Sequence, residues 1–305
     1  MVSVKYPGPV SLNTTSGGST VKYVTNSVLM QMLATSEKWR KEVVALSAGG
    51  RTARHAGVNQ HGRYYVSGLG SENALSGGGA GTCLDGVDSG AGIHSCPNVE
   101  WTELNFPLLF LFRRHLTDSA GAGKQRGGAG TERAFAIHNA PEQKVRVVAM
   151  GVAGLRNSGR GIFGGFPGAP SLLVLLKDSR IGDCFARNES PVNLDDLCGE
   201  PRFLPYCEFE LKESDILYMR AQSGGGYGDP LERDPELVWN DVQSGLVSKE
   251  TARGVYGVVR RRPLGGGVDP VKTSELREKL RSERRVDLSH PSCGALLNTD
   301  LVEES

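Results

Sequence analysis

Between Leu84 and Asn98 the chain places two carboxylates (Asp85 and Asp88), an imidazole (His94), a thiol (Cys96) and an amide (Asn98). That mixture suits proton transfer. A loop histidine titrates near neutrality and can act as a general base or a metal ligand. An asparagine, or a run of backbone N–H groups, can donate to a developing oxyanion. The candidate catalytic residues are therefore His94, Asn98 and Asp88. A plainer reading of each stays open. A loop histidine can simply be hydrogen-bonded to backbone, and Asp85 and Asp88 can be turn formers. Cys96 has no cationic neighbour in sequence that would lower its pKa, which argues for an inert thiol.

Three glycine runs resemble phosphate loops, and each lacks a residue the chemistry needs. Gly121-Ala122-Gly123-Lys124 has Asp118 where the first turn glycine belongs and Gln125 where a magnesium-binding hydroxyl belongs. Gly77 to Gly81 is followed by Cys and Asp residues instead of the helix whose N-terminus would receive a pyrophosphate. Gly224 to Gly228 runs into Asp229-Pro230 with no lysine. Neither a G-x-S-x-G elbow nor an H-E-x-x-H zinc signature occurs, and none of the six cysteines forms a C-x-x-C pair. The reading is a chain that binds no cofactor and no metal itself.

Composition narrows the class further. The chain has 305 residues, of which 41 are glycine, near twice the ordinary share of about 7%. The glycines follow no collagen period. With 35 basic against 34 acidic side chains, the charge balance gives no support to a nucleic-acid or membrane partner. The N-terminal Met-Val-Ser-Val-Lys-Tyr-Pro lacks the apolar core of a secretory signal, and scattered cysteines fit a reducing compartment, so a cytoplasmic location is expected.

The elements that would position the loop read as α+β. Val21, Val24, Val28, Leu29, Met32 and Leu33 recur at three- and four-residue steps and predict an amphipathic helix. A second helical stretch is expected from Ser36 to Ala45. Strands are expected at Tyr64–Val66, Glu103–Arg113, Thr131–His138, Lys144–Met150, Ser171–Lys177, Cys207–Leu211 and Ile216–Arg220. No helix pattern alternates with them, so the body is expected to be antiparallel. Asp234-Pro235-Glu236 and Ser248 predict the starts of two short helices. The expected organisation is an arm and helix over 1–56, a β-rich core over 57–233, a helical end over 234–259, and a charged tail over 260–305. Ser274 to Arg285 would form a helix within that tail. Its basic run reads as a solvated face, with an acidic partner as the alternative.

The order of the glycine blocks carries a family resemblance. Ser223-Gly224-Gly225-Gly226-Tyr227-Gly228-Asp229-Pro230, Asp118 to Gly130, Gly92-Ile93-His94-Ser95-Cys96-Pro97-Asn98, Gly164 to Gly168 and Tyr6-Pro7-Gly8 together resemble the C-terminal half of the hydantoinase B / 5-oxoprolinase family. The resemblance covers about residues 5 to 259. It implies an ATP-dependent complex in which ATP and a divalent metal sit on hydantoinase-A-like partner subunits. A longer hydantoinase-B-like subunit would also be present. The expected reaction is carboxylation of a ketone with bicarbonate (acetophenone to benzoylacetate type). Lactam hydrolysis of the hydantoinase or 5-oxoprolinase type, or a non-catalytic scaffold role, are the alternatives. The family's N-terminal half, with its His/Asp metal motif, is not matched. A complete active site is therefore not expected within this chain, and the isolated chain is expected to be inactive.

Overall fold

The computed structural model describes residues 28–46, 51–68, 76–90, 98–151, 159–204, 207–261 and 267–287. The chain divides into two compact units, Met1–Glu232 and Arg233–Ser305. The first is built on two antiparallel sheets. One has the order β2-β1-β5-β8 and the other β3-β4-β9-β6-β7. The strands are β1 (Arg51–Val58), β2 (Tyr64–Gly68), β3 (Leu108–His115), β4 (Thr131–Ile137), β5 (Lys144–Gly151), β6 (Leu172–Lys177), β7 (Glu200–Phe203), β8 (Cys207–Lys212) and β9 (Ile216–Arg220). The α+β class with a predominantly antiparallel body is as expected.

Alternation makes this a sandwich. Val145, Val147 and Ala149 of β5 point inward with Ala53 and Leu211. They meet Phe135, Ile137, Leu173, Leu175, Leu217 and Met219 from the other sheet. Lys144 and Arg146 point outward and pair with Glu210 and Glu208 across β8. All seven residues of β4 are buried, because its second face is covered as well. There Ala134, Val174, Leu176, Ile216 and Tyr218 pack under Ile181, Leu194 and Leu197. A charged row crosses that covered face. Glu132 lies opposite both Arg114 and Arg220. It accepts from Arg114 Nε at 2.6 Å and from the Tyr218 hydroxyl at 2.6 Å. Such partners offset the cost of burying a polar side chain.

Several expectations are corrected. Residues 28–34 are helical (α1), but Val28, Leu29 and Met32 are exposed and form no buried face. The part of the expected helix before residue 28 lies outside the described residues. Ser36 to Ala45 is not helical: residues 37–42 are turns and 43–46 have no regular secondary structure. The cause is pairing, since Ala45 N donates to Ala80 O and Leu46 N to Arg160 O. The expected strand Glu103–Arg113 begins instead as helix α2 (Val99–Asn105), and the strand starts only at Leu108. Helix α3 (Ile181–Ala186), β1 and β7 were not anticipated.

The chain leaves and re-enters the second sheet at one end, where His115 faces Thr131, and Arg220 faces both Glu132 and Leu172. From that end the glycine-rich stretches 119–130, 159–169 and 221–228 run on, and together with the glycine-rich 76–90 and the glycine-free 43–46 they form a bundle bonded backbone to backbone. Gly121 N donates to Gly224 O, Gly224 N to Gly128 O, Gly128 N to Gly78 O, and Gly226 N to Phe166 O. The chains approach so closely that side chains have no room. A methyl group on Gly224 would collide with the Gly78 carbonyl, and one on Gly77 with the Gly128 carbonyl.

The second unit holds α4 (Pro235–Gln243), α5 (Lys249–Gly254) and α6 (Pro270–Asp287). Asp234 accepts from Glu236 N, and Ser248 accepts from Thr251 N, so both expected caps are formed. Gly245, at φ 78°, ends α4.

Gly224→Ala is expected to destabilise the chain by more than ~3 kcal/mol, or to prevent folding, because backbone on both sides must move. Gly254→Ala, whose added carbon meets nothing within 4 Å, is expected to be neutral or mildly stabilising. Urea denaturation of both variants checks this, and a parental midpoint for Gly224→Ala would contradict the packing.

Candidate functional site

Of the sequence candidates, Asp88 falls on the margin of the glycine bundle. Asp88 is held there on three bonds. Its Oδ1 accepts from Arg126 Nη1 at 2.9 Å and from Ala129 N at 2.6 Å, and its Oδ2 from Arg126 Nη2 at 3.3 Å. Asp85 Oδ1 accepts from the Arg126 amide at 2.8 Å. Arg126 is buried, and its Nη1 also donates to the Gly127 carbonyl at 2.6 Å. Partial burial opposes the charge on Asp88. The Arg126 guanidinium, the Ala129 N–H and the nearby His115 outweigh it and hold the carboxyl below its ordinary range. A carboxylate in that state is a weak proton acceptor and a strong clamp.

Ser89, next to Asp88, has φ 51° and donates its N–H to Ala129 O. Its Oγ lies 3.2 Å from His115 Nδ1. Asp88, Ser89, His115 and Arg126 thus form one polar cluster at the point where β3 leaves the sheet. His115 and Arg126 were not singled out from sequence. The signal that could have found them is topological: they lie 26 and 38 positions from their partners in the chain.

Asn98 lies elsewhere in this unit, as the N-cap of α2. Its Oδ1 accepts from Trp101 N at 2.9 Å, and its carbonyl accepts from Thr102 N and Oγ1. The other end of α2 is held by the β1–β2 turn. Asn59 Nδ2 donates to Asn105 O at 3.1 Å, Gln60 Nε2 to Glu103 O at 2.9 Å and to Leu104 O at 2.8 Å, and His61 Nε2 lies 2.9 Å from Leu104 O. Side-chain donors on the last carbonyls complete a short helix that has no glycine stop. His94 and Cys96 lie outside the described residues.

Phe106 and Phe110 pack on the sandwich core and Phe112 on the covered face. Phe166 is partly exposed, and its N–H and carbonyl serve the glycine bundle. The run 224–228 lies against each of the other two runs that resemble phosphate loops, and most of the N–H groups in the three donate to backbone carbonyls. Among the described residues no group of three His, Cys, Asp or Glu side chains converges as a metal-ligand set. Among them, too, no helix is long and apolar enough to cross a membrane.

His55 of β1 is fully buried in the sandwich. Its Nδ1 lies 3.1 Å from the Tyr65 hydroxyl, and its ring meets Tyr65 and Phe106 edge-on. Burial lowers its pKa to about 4, against a smaller opposing effect of the Gly68 backbone.

This combination of glycine bundle and sandwich defines the class. The chain belongs to the hydantoinase B/oxoprolinase family, whose profile matches residues 1–230. It is 30% identical over 278 residues to the acetophenone carboxylase delta subunit of Aromatoleum aromaticum, covering 86% of this chain and 40% of that one. Among solved structures, acetone carboxylase in its nucleotide-free form superposes with a TM-score of 0.72 at 27% identity, over 88% of this chain and 38% of the other. The ATP-dependent caprolactamase of Pseudomonas jessenii superposes with a TM-score of 0.57 at 26% identity, over 79% of this chain and 40% of that one. The chain therefore spans about two fifths of the length of these relatives.

Two outcomes follow from the clamp and the buried imidazole. Asp88→Asn is expected to cost about 2–4 kcal/mol, because it takes a carboxylate away from the buried Arg126 guanidinium; urea unfolding measures it. His55 is neutral when folded, whereas an unfolded histidine takes up a proton below pH 6.5. Its contribution to stability is thus complete above pH 6.5 and is lost as the pH falls toward about 4, by up to ~3 kcal/mol. In His55→Leu the fall in unfolding midpoint between pH 6.5 and 4.5 should be shallower than in the parent.

Proposed function

We propose that this chain is a subunit of a multi-subunit ATP-dependent ketone carboxylase of the acetophenone type. It would correspond to a half-length B-like subunit, the kind represented by the epsilon subunit of acetophenone carboxylase. The observation that carries this reading is the alignment of most of the chain with the acetophenone carboxylase delta subunit. The superposition on acetone carboxylase supports it.

In this reading ATP and a divalent metal are handled by hydantoinase-A-like partners, and a longer B-like subunit completes the site. The glycine N–H groups here are engaged with backbone carbonyls, which supports placing the nucleotide elsewhere. The carbon–carbon bond forms when the methyl carbon of the activated ketone, as its enolate, attacks carbon dioxide to give a β-keto acid. Such a step needs fixed donors at the enolate and carboxylate oxygens in a site closed to water. This chain's contribution is the loop ending at Asn98, with His94 and the Asn98 amide as donors. Asp88 serves as a positioning residue, anchoring the start of that loop on Arg126.

A second reading, a subunit of an ATP-dependent lactam hydrolase, is favoured by the superposition on caprolactamase. A scaffold without a chemical role is the third.

Reconstitution with the partner subunits separates the three. A carboxylase incorporates labelled bicarbonate into acetophenone in an ATP-dependent way, and omission of this chain abolishes product while the other subunits stay assembled. ATP hydrolysis stimulated by hydantoin, 5-oxoproline or caprolactam, without labelled product, would establish the lactam reading. Dissociation of the remaining subunits on omission would establish the scaffold. Within the carboxylase reading, His94→Ala is expected to lower kcat at least ~100-fold, and an unchanged kcat would remove His94 from the site.

A further inference from the structure

Two side chains of the polar cluster take no part in the Asp88–Arg126 clamp. They are Ser89 and His115, whose Oγ and Nδ1 lie 3.2 Å apart. A hydroxyl nucleophile and its base stand about 2.6–3.2 Å apart, and often further before substrate binds. With its proton on Nε2, a neutral imidazole accepts from the hydroxyl through Nδ1. The pair is also within reach of solvent, since His115 is exposed and Ser89 partly buried.

One buried stretch, Ala129 to Thr131, positions both residues. Ser89 N donates to Ala129 O at 2.9 Å, while Ala129 N donates to Asp88 Oδ1 at 2.6 Å. On the other side His115 is the register partner of Thr131, and Leu116 N donates to Gly130 O at 2.9 Å. Nucleophile and base are thus attached to the same rigid element, which is what a preorganised pair requires. Ser89 holds φ 51°, a left-handed conformation that a serine keeps only where its surroundings impose it. The Asp88 carboxylate lies close enough to His115 for their charges to attract. An imidazolium formed at His115 is therefore stabilised by a carboxylate that Arg126 and Ala129 hold in place.

We propose that Ser89 and His115 form a nucleophile–base pair that hydrolyses aryl esters of small carboxylic acids through an acyl-serine. Ser89 Oγ bonds to the ester carbonyl carbon as its proton passes to His115 Nδ1, and the carbonyl electron pair moves onto oxygen. When that pair returns, the bond to the phenolic oxygen breaks, and the phenoxide takes the proton from His115. Water then gives a proton to the same nitrogen and adds to the acyl carbon. Collapse of this second intermediate releases the carboxylic acid, and the proton on His115 returns to Ser89 Oγ. The sum is ester plus water giving acid plus phenol. An aryl ester is the fitting class, because a phenoxide is a weak base and leaves with little assistance. This activity is separate from the carboxylase reading: it needs neither ATP nor a partner subunit, and neither Ser89 nor His115 is assigned to that chemistry.

The test uses the full chain and p-nitrophenyl acetate, following p-nitrophenol release and mapping the acetyl group by mass spectrometry after acid quench. The acetyl group is expected on Ser89. Ser89→Gly accepts the left-handed conformation without strain, so its thermal midpoint should stay close to the parent's while p-nitrophenol release falls at least ~10-fold. His115→Gln, at an exposed position, should keep the midpoint and lose both the adduct and the rate. A parent chain without acetyl on Ser89, or a parental rate in either variant, would overturn the proposal.

Discussion

The structure depends on a packing arrangement in which backbone touches backbone. Between the glycine-rich stretches the usual filler of a protein interior is missing, and carbonyl oxygens of one chain occupy the space where the next would carry a side chain. Cohesion comes from N–H···O bonds, each worth about 1 kcal/mol net. It also comes from the rule that a buried peptide group without a partner costs more than a paired one returns. Such an assembly tolerates no local compromise. A single methyl group forces two backbones apart, and each displaced chain carries bonds to a third.

The sandwich supplies what the bundle cannot. Extended glycine chains have high conformational entropy when unfolded and bury little apolar surface. Their alignment is set where they leave the second sheet, because β3, β4, β6 and β9 already have their register there. Packing of Phe135, Leu175 and Leu217 against Val145 and Val147 fixes that register from one side. The Arg114–Glu132–Tyr218 bonds hold it on the other. Asp88 and Arg126 then act as a side-chain staple within the bundle, at one of the few places where it admits side chains. The ion pair stands in for the apolar contacts that glycine cannot make.

The parts that could be read in sequence are those governed by local rules. Strands β4, β5, β6, β8 and β9 show apolar runs or strict alternation, and the caps Asp234 and Ser248 sit where a helix must begin. Strand β1 escaped because its inward positions are Ala53, His55 and Gly57, none of which reads as apolar core. Strand β7 escaped because Glu200-Pro201-Arg202-Phe203 is an exposed edge with no buried face. Helix α2 was hidden by the apolar run that follows it; only Asn98 announced it, and Asn98 had been read for its chemistry. The glycine order revealed the family, while the bundle itself was not legible. Its contacts join stretches more than a hundred residues apart, as between Gly78 and Gly224.

Glycine-rich loops suggest nucleotides because their N–H groups can converge on a phosphate. That inference depends on the N–H groups facing outward at a turn before a helix. Here many of these N–H groups donate to neighbouring carbonyls, and the absence of a side chain lets the chains lie close together. Charge follows one rule in both units. Arg126 is matched by Asp88, Arg114 by Glu132, and the buried Arg233 by Asp241, so these cations are held within the fold.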